Sequence, residues 1–530
     1  MATLKLNFNL KFISRFLSDE SLTKKASLNA LASTLDYAAA LAVGFLVTPL
    51  MVAGLGDYYY GLWQILNRLV TYITPASGRP TQALRWTLAN QQASNDYHLK
   101  RTYVGSALLV WLLFLPVTMV IGGVLSWFAP YWLNTPPQYF WLVRMVVLLL
   151  VANLALTQLG TLPQSVLQGE NLGYKRMGMS VVLEFVAGGL TWLALYLNTG
   201  IIGVAVAALI STVVSGLFYL LIVRSYAPWF GVARPSSEVA RQFTGLSGWF
   251  LAWNLVMNVS MASDVVILGM LNSVESVTNY TLTKFMPETL ISIVAIVAFG
   301  IAPGLGGIIG SGKLDKAAHL RGEIMSLTWL VVTIMGSTIL LWNRTFLKLW
   351  VGAGHYAGPI PDLLIVIVVM QFILIRNDAN VIDLTLKLRN KVVIGAFSLV
   401  LALGLSGLFV GYFNLGIVGL SLGLLIGRSL LSFGYPMIIG RFLGVPLSSQ
   451  LKGSLRPALI SLLLFLLAVS LDTLVYINRQ FLVKGWIGLI IASGVTFCVV
   501  LLFAFFAGLS GVQRRNIFRR IQILMTPGSK

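Results

Sequence analysis

Ten ionisable side chains of this sequence are read as intramembrane, inside long apolar runs. They are Arg68, Arg144, Lys284, Arg376 and Arg428, and Asp36, Glu184, Asp264, Glu288 and Asp378. A charge facing hydrocarbon is costly, so such residues pair with one another, line a wet cavity, or do both. The five cations have the chemistry to hold an anion. Arginine suits phosphate best, because its planar fork bonds two oxygens at once. The carboxylates have the chemistry to bind a proton or a cation in turn. Each residue also has a quieter reading. Arg144 stands about five residues from the end of its run and can snorkel to the interface. Arg376 and Asp378 sit near a run's end, where they would form an interfacial pair. Arg428, in GIVGLSLGLLIGRSLLSF, is too deep to snorkel and needs a cavity or a partner on a neighbouring helix. Lys284 and Glu288 are four apart, one turn apart on a shared helix face, with Pro287 between them removing a helical hydrogen bond. The anion-binding candidates are therefore Arg68, Lys284, Arg144, Arg428 and Arg376. The ion-coupling candidates are Asp36, Asp264, Glu288 and Glu184.

These residues need elements that can hold charge in an apolar setting. The chain has 530 residues, 57% of them apolar and only 10% charged, against about a quarter charged in ordinary soluble domains. That excludes a soluble globular protein and a disordered one. Fourteen apolar stretches are long enough to span a bilayer: about 31–53, 59–78, 103–127, 139–161, 177–197, 200–222, 246–270, 276–302, 324–342, 360–382, 392–412, 416–439, 457–476 and 485–508. The second, seventh and eighth are rich in polar residues and should face other helices or water. The runs lack the period-two alternation of a membrane β-barrel, and the short loops leave no room for a soluble domain. The fold class is an all-α polytopic membrane protein with about 14 transmembrane helices.

The net charge of +20 follows the same topology. With the N-terminus inside, 28 of the 37 Lys and Arg residues fall in inner segments, four in outer loops and five within spans. A miscounted span would spoil this bias. Asp362 and Asp472 are read as outer-loop acids. The ends, LKLNFNLKFISRF and VQRRNIFRRIQIL, mix apolar and basic residues as interfacial helices do.

An internal repeat is also legible. Aligning Leu55-Gly56 with Leu271-Asn272, a shift of 216 residues, superposes Arg68 on Lys284. The implied organisation is two pseudo-symmetric six-helix lobes plus a C-terminal helix pair. Its parts are a cytoplasmic interfacial tail at 1–27, an N-lobe at 28–223, an inter-lobe linker at 224–245, a C-lobe at 246–440, the last two spans at 441–511 and a basic cytoplasmic tail at 512–530.

Other chemistries find little support. His98, His319 and His355 lie in separate loops, so they do not form a metal cluster, and the lone Cys498 cannot make an intramolecular disulfide. GIIGSGK, Gly307–Lys313, has phosphate-loop spacing, but Leu314 replaces the magnesium-binding Ser or Thr and a helix precedes it. No Ser-His-Asp constellation is present. An enzyme is not expected, nor a cofactor, nor a nucleic-acid partner.

The opening SLNALASTLDYAAALAVGFLVTPLMVAGLGDYYYGLWQILNRL resembles the start of the Wzx-type oligosaccharide flippases of the multidrug/oligosaccharidyl-lipid/polysaccharide (MOP) exporter superfamily. Their pattern is a span ending in proline, then Leu-Gly, then Tyr-Gly, then a polar span. Here these are Pro49, Leu55-Gly56 and Tyr60-Gly61. The NLGYKR loop, Asn171–Arg176, fits as well, whereas Pro75-Ala76-Ser77-Gly78 departs from the aspartate-leucine-glycine often found there. The resemblance implies a secondary transporter of the bacterial inner membrane with both termini cytoplasmic. Its cargo would be an undecaprenyl-pyrophosphate-linked oligosaccharide for O-antigen or another surface polysaccharide, moved by alternating access coupled to an ion gradient. It implies a monomer, surrounded by membrane lipids, working beside a polysaccharide polymerase and a chain-length regulator. Trp63, Tyr72, Trp249 and Trp253 would stack on sugars or simply pack. Two other readings stay open. One is a multidrug antiporter of the same superfamily, with an acidic cavity and twelve spans. The other is a membrane-embedded polymerase or glycosyltransferase, which needs catalytic residues in long outer loops.

Overall fold

A computed structural model describes residues 22–77, 80–91, 94–235, 248–310, 312–384, 388–482 and 485–515. Most of the first tail, much of the 224–245 linker and the end of the last tail lie outside the described residues, as do the side chains of Trp249 and Trp253. No strand occurs among the described residues.

The first helix, α1, runs Leu22–Thr71. Fifty helical residues measure about 75 Å, more than twice the hydrocarbon thickness. The helix is broken at Gly56, whose φ of 76° and ψ of 167° fall in a region that only glycine enters freely. The two halves of α1 are therefore two spans. After α1 come the short α2 (Pro80–Asn90), α3 (Tyr97–Trp132), α4 (Phe140–Gly160) with the short α5 (Leu162–Gly169), α6 (Met177–Tyr196) and α7 (Gly200–Tyr226). The remainder is α8 (Gly248–Leu271), α9 (Val274–Gly310), α10 (Leu314–Trp350), α11 (Pro359–Leu384), α12 (Leu388–Gly407), α13 (Gly416–Leu443), α14 (Leu447–Leu482) and α15 (Gly485–Phe503). Among the described residues, eleven helices are long and apolar enough to cross a membrane by length and composition. Splitting α1 at its break and adding the polar α8 and α9 brings the number to about fourteen. The protein is an all-α, multi-pass membrane protein.

Two compact units emerge. The first comprises the chain up to Leu50, Ile73–Trp127 and Arg144–Ser247. Its core joins α2, α3, α5 and α7 through Leu84, Val104, Val166 and Val223. Gly160 and Gly216 let α4 and α7 touch backbone to backbone, the close approach that small residues permit between membrane helices.

The second unit comprises Met51–Tyr72, Phe128–Val143 and Gly248 onward. Leu290, Val332, Val369 and Phe465 join α9, α10, α11 and α14. Gly419, Gly423 and Gly427 line one face of α13; α12 presses onto it at Ser406 and Ala402, and the turn after α12 does so at Phe409. The second half of α1 belongs to this unit. A Cβ on Gly61 would collide with the Val274 carbonyl at the start of α9, and one on Gly269 would strike Ile65. The Thr278 hydroxyl donates to the Asp57 carbonyl at 2.6 Å. This close approach is why Tyr60 is followed by glycine.

Candidate functional site

The polar faces of α1, α8 and α9 meet within the second unit. Asp264 on α8 is 3% exposed. Its Oδ2 accepts from Lys284 Nζ at 2.6 Å and from the Tyr280 hydroxyl at 2.8 Å, both on α9. Its Oδ1 accepts the backbone N–H of Val265. Buried charge is tolerable only with such full pairing. One turn along α9, Glu288 Oε1 stands 3.8 Å from Lys284 Nζ and 3.8 Å from Arg68 Nη2. The two cations related by the 216-residue repeat thus share one carboxylate. Arg68 and Glu288 are about a third exposed, so this end of the network is open. The Tyr72 hydroxyl, one turn beyond Arg68, donates to Ser263 Oγ at 3.1 Å, and Ser263 in turn donates to the Val259 carbonyl.

Arg428 on α13 joins the closed end. Its Nη2 donates to the Ser260 carbonyl at 3.1 Å and its guanidinium lies 5.4 Å from the Phe372 ring centre. A small void borders Arg428, Asp264 and Lys284 together. The cluster therefore holds three cations against two carboxylates: Lys284 is paired with Asp264 and Arg68 faces Glu288, so the surplus charge is that of Arg428 at the closed end.

Arg376 on α11 does not join that network. It lines a cavity of about 380 Å³ enclosed by α8, α11, α12 and α13, beside Arg428, Asn258 and Lys391. Nor does it pair with Asp378. That carboxylate accepts from Arg321 on α10 at 2.8 and 2.9 Å, and Arg321 also donates to Gln450. Residues two apart on a helix point about 200° apart, which rules out the interfacial pair read from sequence.

The remaining candidates belong to the first unit. Asp36 accepts from Arg176 at 2.9 Å, and Arg176 also donates to Ser180. Glu184 on α6 is close enough to Asp36 for their charges to interact. Arg144 stacks on Trp127 at 4.0 Å, a cation–π contact rather than a free snorkelling charge.

Sequence reasoning missed several residues. Lys100, Arg176, Arg321 and Lys391 read as loop cations, yet each is at most 9% exposed. Each is bonded to an acid: Glu170, Asp36, Asp378 and Asp383 respectively. Tyr280, invisible as one aromatic among many, is fully buried on Asp264. Asp362 and Asp472 are not outer-loop acids. They stand in α11 and α14, at 0% and 1% exposure. Both fall within the apolar runs 360–382 and 457–476 but close to the outer ends of those runs, where an acid reads as part of the adjoining loop.

No family model matches the chain, and the curated proteins give no match. Solved structures do. The lipid II flippase MurJ in an inward closed conformation aligns with TM-score 0.66 and 11% identity, over 94% of this chain and 99% of that one. An inward-facing multidrug resistance MATE family transporter of the MOP superfamily aligns with TM-score 0.63 and 14% identity, over 77% of this chain and 96% of that one. A MATE structure in a bent conformation gives TM-score 0.51 and 15% identity, over 81% and 99%. The chain has the fold of these transporters and of this flippase.

Proposed function

We propose that the chain is a flippase carrying an undecaprenyl-pyrophosphate-linked oligosaccharide from the inner to the outer leaflet of the bacterial inner membrane. In this reading two six-span lobes rock in alternating access, with spans thirteen and fourteen beside them and both termini cytoplasmic. The observation that carries it is the open end of the α1–α8–α9 network. There Arg68 and Lys284 share Glu288 at 3.8 Å each, longer than a firm ion pair, with Arg68 and Glu288 about a third exposed. A diphosphate has more charge and more oxygens than one carboxylate, so it can displace Glu288 and take both cations. The fold comparison supports the same reading, since the flippase aligns over 94% of the chain against 77% for the multidrug transporter. Membrane potential adds drive, about 2.3 kcal/mol per charge per 100 mV for an anion leaving a negative interior.

The test is translocation of defined lipid-linked oligosaccharides in proteoliposomes. Loss of one charge-assisted contact is worth about 1.5–3 kcal/mol, so Arg68→Ala and Lys284→Ala should each slow flipping by about tenfold or more. Unimpaired flipping in both single variants and the double variant overturns the assignment. The multidrug reading is favoured by the MATE alignment at TM-score 0.63. Proton-driven extrusion of a cationic dye, with no flipping of any lipid-linked sugar, would establish it instead.

A further inference from the structure

Two of the four fully buried acids among the described residues, Asp264 and Asp378, are bolted to a cation, at 2.6 and 2.8 Å. The less buried Asp36 and Glu170 also accept from an arginine and a lysine within 2.9 Å. Asp362, in the first turn of α11, differs. It is 0% exposed, and its side-chain partners among the described residues are neutral. Oδ1 accepts from Asn343 Nδ2 of α10 at 2.9 Å, and Oδ2 accepts from the Tyr356 hydroxyl at 3.3 Å. The Asn343 amide also donates to the Thr283 carbonyl of α9 at 3.0 Å. Asn343 is 2% exposed, and its Oδ1 has no hydrogen-bond partner among the described residues. An oxygen left open beside a carboxylate is a seat for a proton or a cation, not for an anion.

The groups facing this cluster are few. Asp472 comes from α14, Tyr356 from the loop between α10 and α11, and Arg344 of α10 stacks over the Tyr356 ring at 5.8 Å. Burial, then the carboxylates of Asp362 and Asp472, push the Tyr356 hydroxyl far above its ordinary range. It remains a neutral phenol, able to donate to a carboxylate or accept from a carboxylic acid. Lysine and arginine, which bolt the other acids, can only donate.

The loop that carries Tyr356 is tied at three points. Gly352, Gly354 and Gly358 have φ of 99°, 116° and 107°, a backbone that needs glycine. The Ala357 N–H donates to Thr283 Oγ1 at 3.0 Å. His355 Nε2 meets Asp57 Oδ1 at 2.8 Å, one residue after the break in α1 and three turns before Arg68.

The geometry points to Asp362 as the carboxylate that takes up and releases the coupling proton, with the 351–358 loop carrying its state to Asp57. A proton arriving on Oδ2 neutralises Asp362 and reverses its bond to Tyr356, which turns from donor to acceptor. The loop's hold on the α1 break then changes with no other charge moved. In the orientation given by the basic residues this cluster lies toward the outer face, so the proton enters from outside.

The coupling role rests on the transport reading, but the site can be tested without cargo. Infrared difference spectra of the full-length protein in lipid, recorded against pH, should show a buried carboxylic-acid carbonyl band. The band should vanish in Asp362→Asn and persist in Glu288→Gln. A band that survives Asp362→Asn, or no band in the wild type, overturns the proposal. Its loss on adding sodium at fixed pH also overturns it, in favour of a sodium site. Should Asp362→Asn not fold, Tyr356→Phe must shift the band, and an unshifted band is equally fatal. Unimpaired flipping in Arg68→Ala, Lys284→Ala and the double variant would sink the cargo assignment and leave this result untouched.

Discussion

At the scale of single residues, Lys284 and Arg68 look alike in sequence and differ in what their loss exposes. Removing Lys284 strands Asp264 in a site 3% exposed. A buried charge deprived of its partner costs about 3–5 kcal/mol. Lys284→Ala should therefore lower the thermal unfolding temperature in detergent sharply, and Lys284→Ala with Asp264→Ala should recover much of the loss. Additive losses in that double-mutant cycle would refute the pairing. Arg68 is 29% exposed and faces a partner at 3.8 Å. Arg68→Ala should leave unfolding nearly unchanged while transport falls. Stability and activity should thus separate across one carboxylate.

Between residue and element lies the limit of what the sequence disclosed. The polar character of the second, seventh and eighth spans was legible, because polar side chains among apolar ones need polar company, and the structure puts α1, α8 and α9 together. The repeat also led to Arg68 and Lys284 as a pair. The partners were not legible. Arg176, Arg321 and Lys391 lie at helix ends, where hydropathy reads water, yet neighbouring helices cover them. Tertiary packing decides that burial, and no spacing along the chain encodes it. Asp362 was missed for the same reason, since a glycine-rich loop folds over the first turn of α11 and closes it from solvent. Within helices, close packing makes a sharper forecast. Gly61→Ala puts a methyl against the Val274 carbonyl and should cost about 1–3 kcal/mol by overpacking. Gly44→Ala, on the same helix with nothing within 4 Å of the added carbon, should be neutral or gain up to about 1 kcal/mol of helix propensity. Thermal melts of the two variants side by side decide the matter, and equal effects would contradict the close approach of α1 and α9.

For the whole molecule, the charge distribution predicts a sidedness. The fourteen-span order puts the α3–α4 connection outside and the start of α10 inside. In a Cys498→Ser background, Gln138→Cys should react with a membrane-impermeant thiol reagent in intact spheroplasts. Lys316→Cys should react only after permeabilisation. The reverse pattern would invert the orientation and with it the direction of transport. Of the inner-segment cations that set this sidedness, Lys100, Arg176, Arg321 and Lys391 are bonded to acids. They anchor helices, which leaves fewer cations to hold anionic headgroups.

The shared carboxylate has a further consequence. On the proposed function, Glu288 occupies the seat of the anion when no cargo is bound. As a group on the same helix it acts at an effective concentration of order millimolar or higher. A monovalent ion such as chloride offers no more charge than this tethered competitor and gains little by replacing it. A diphosphate brings more charge and reaches both cations at once. On the proposed function, the resident glutamate sets an affinity floor: it screens out common small anions and keeps the empty carrier from leaking them down the membrane potential.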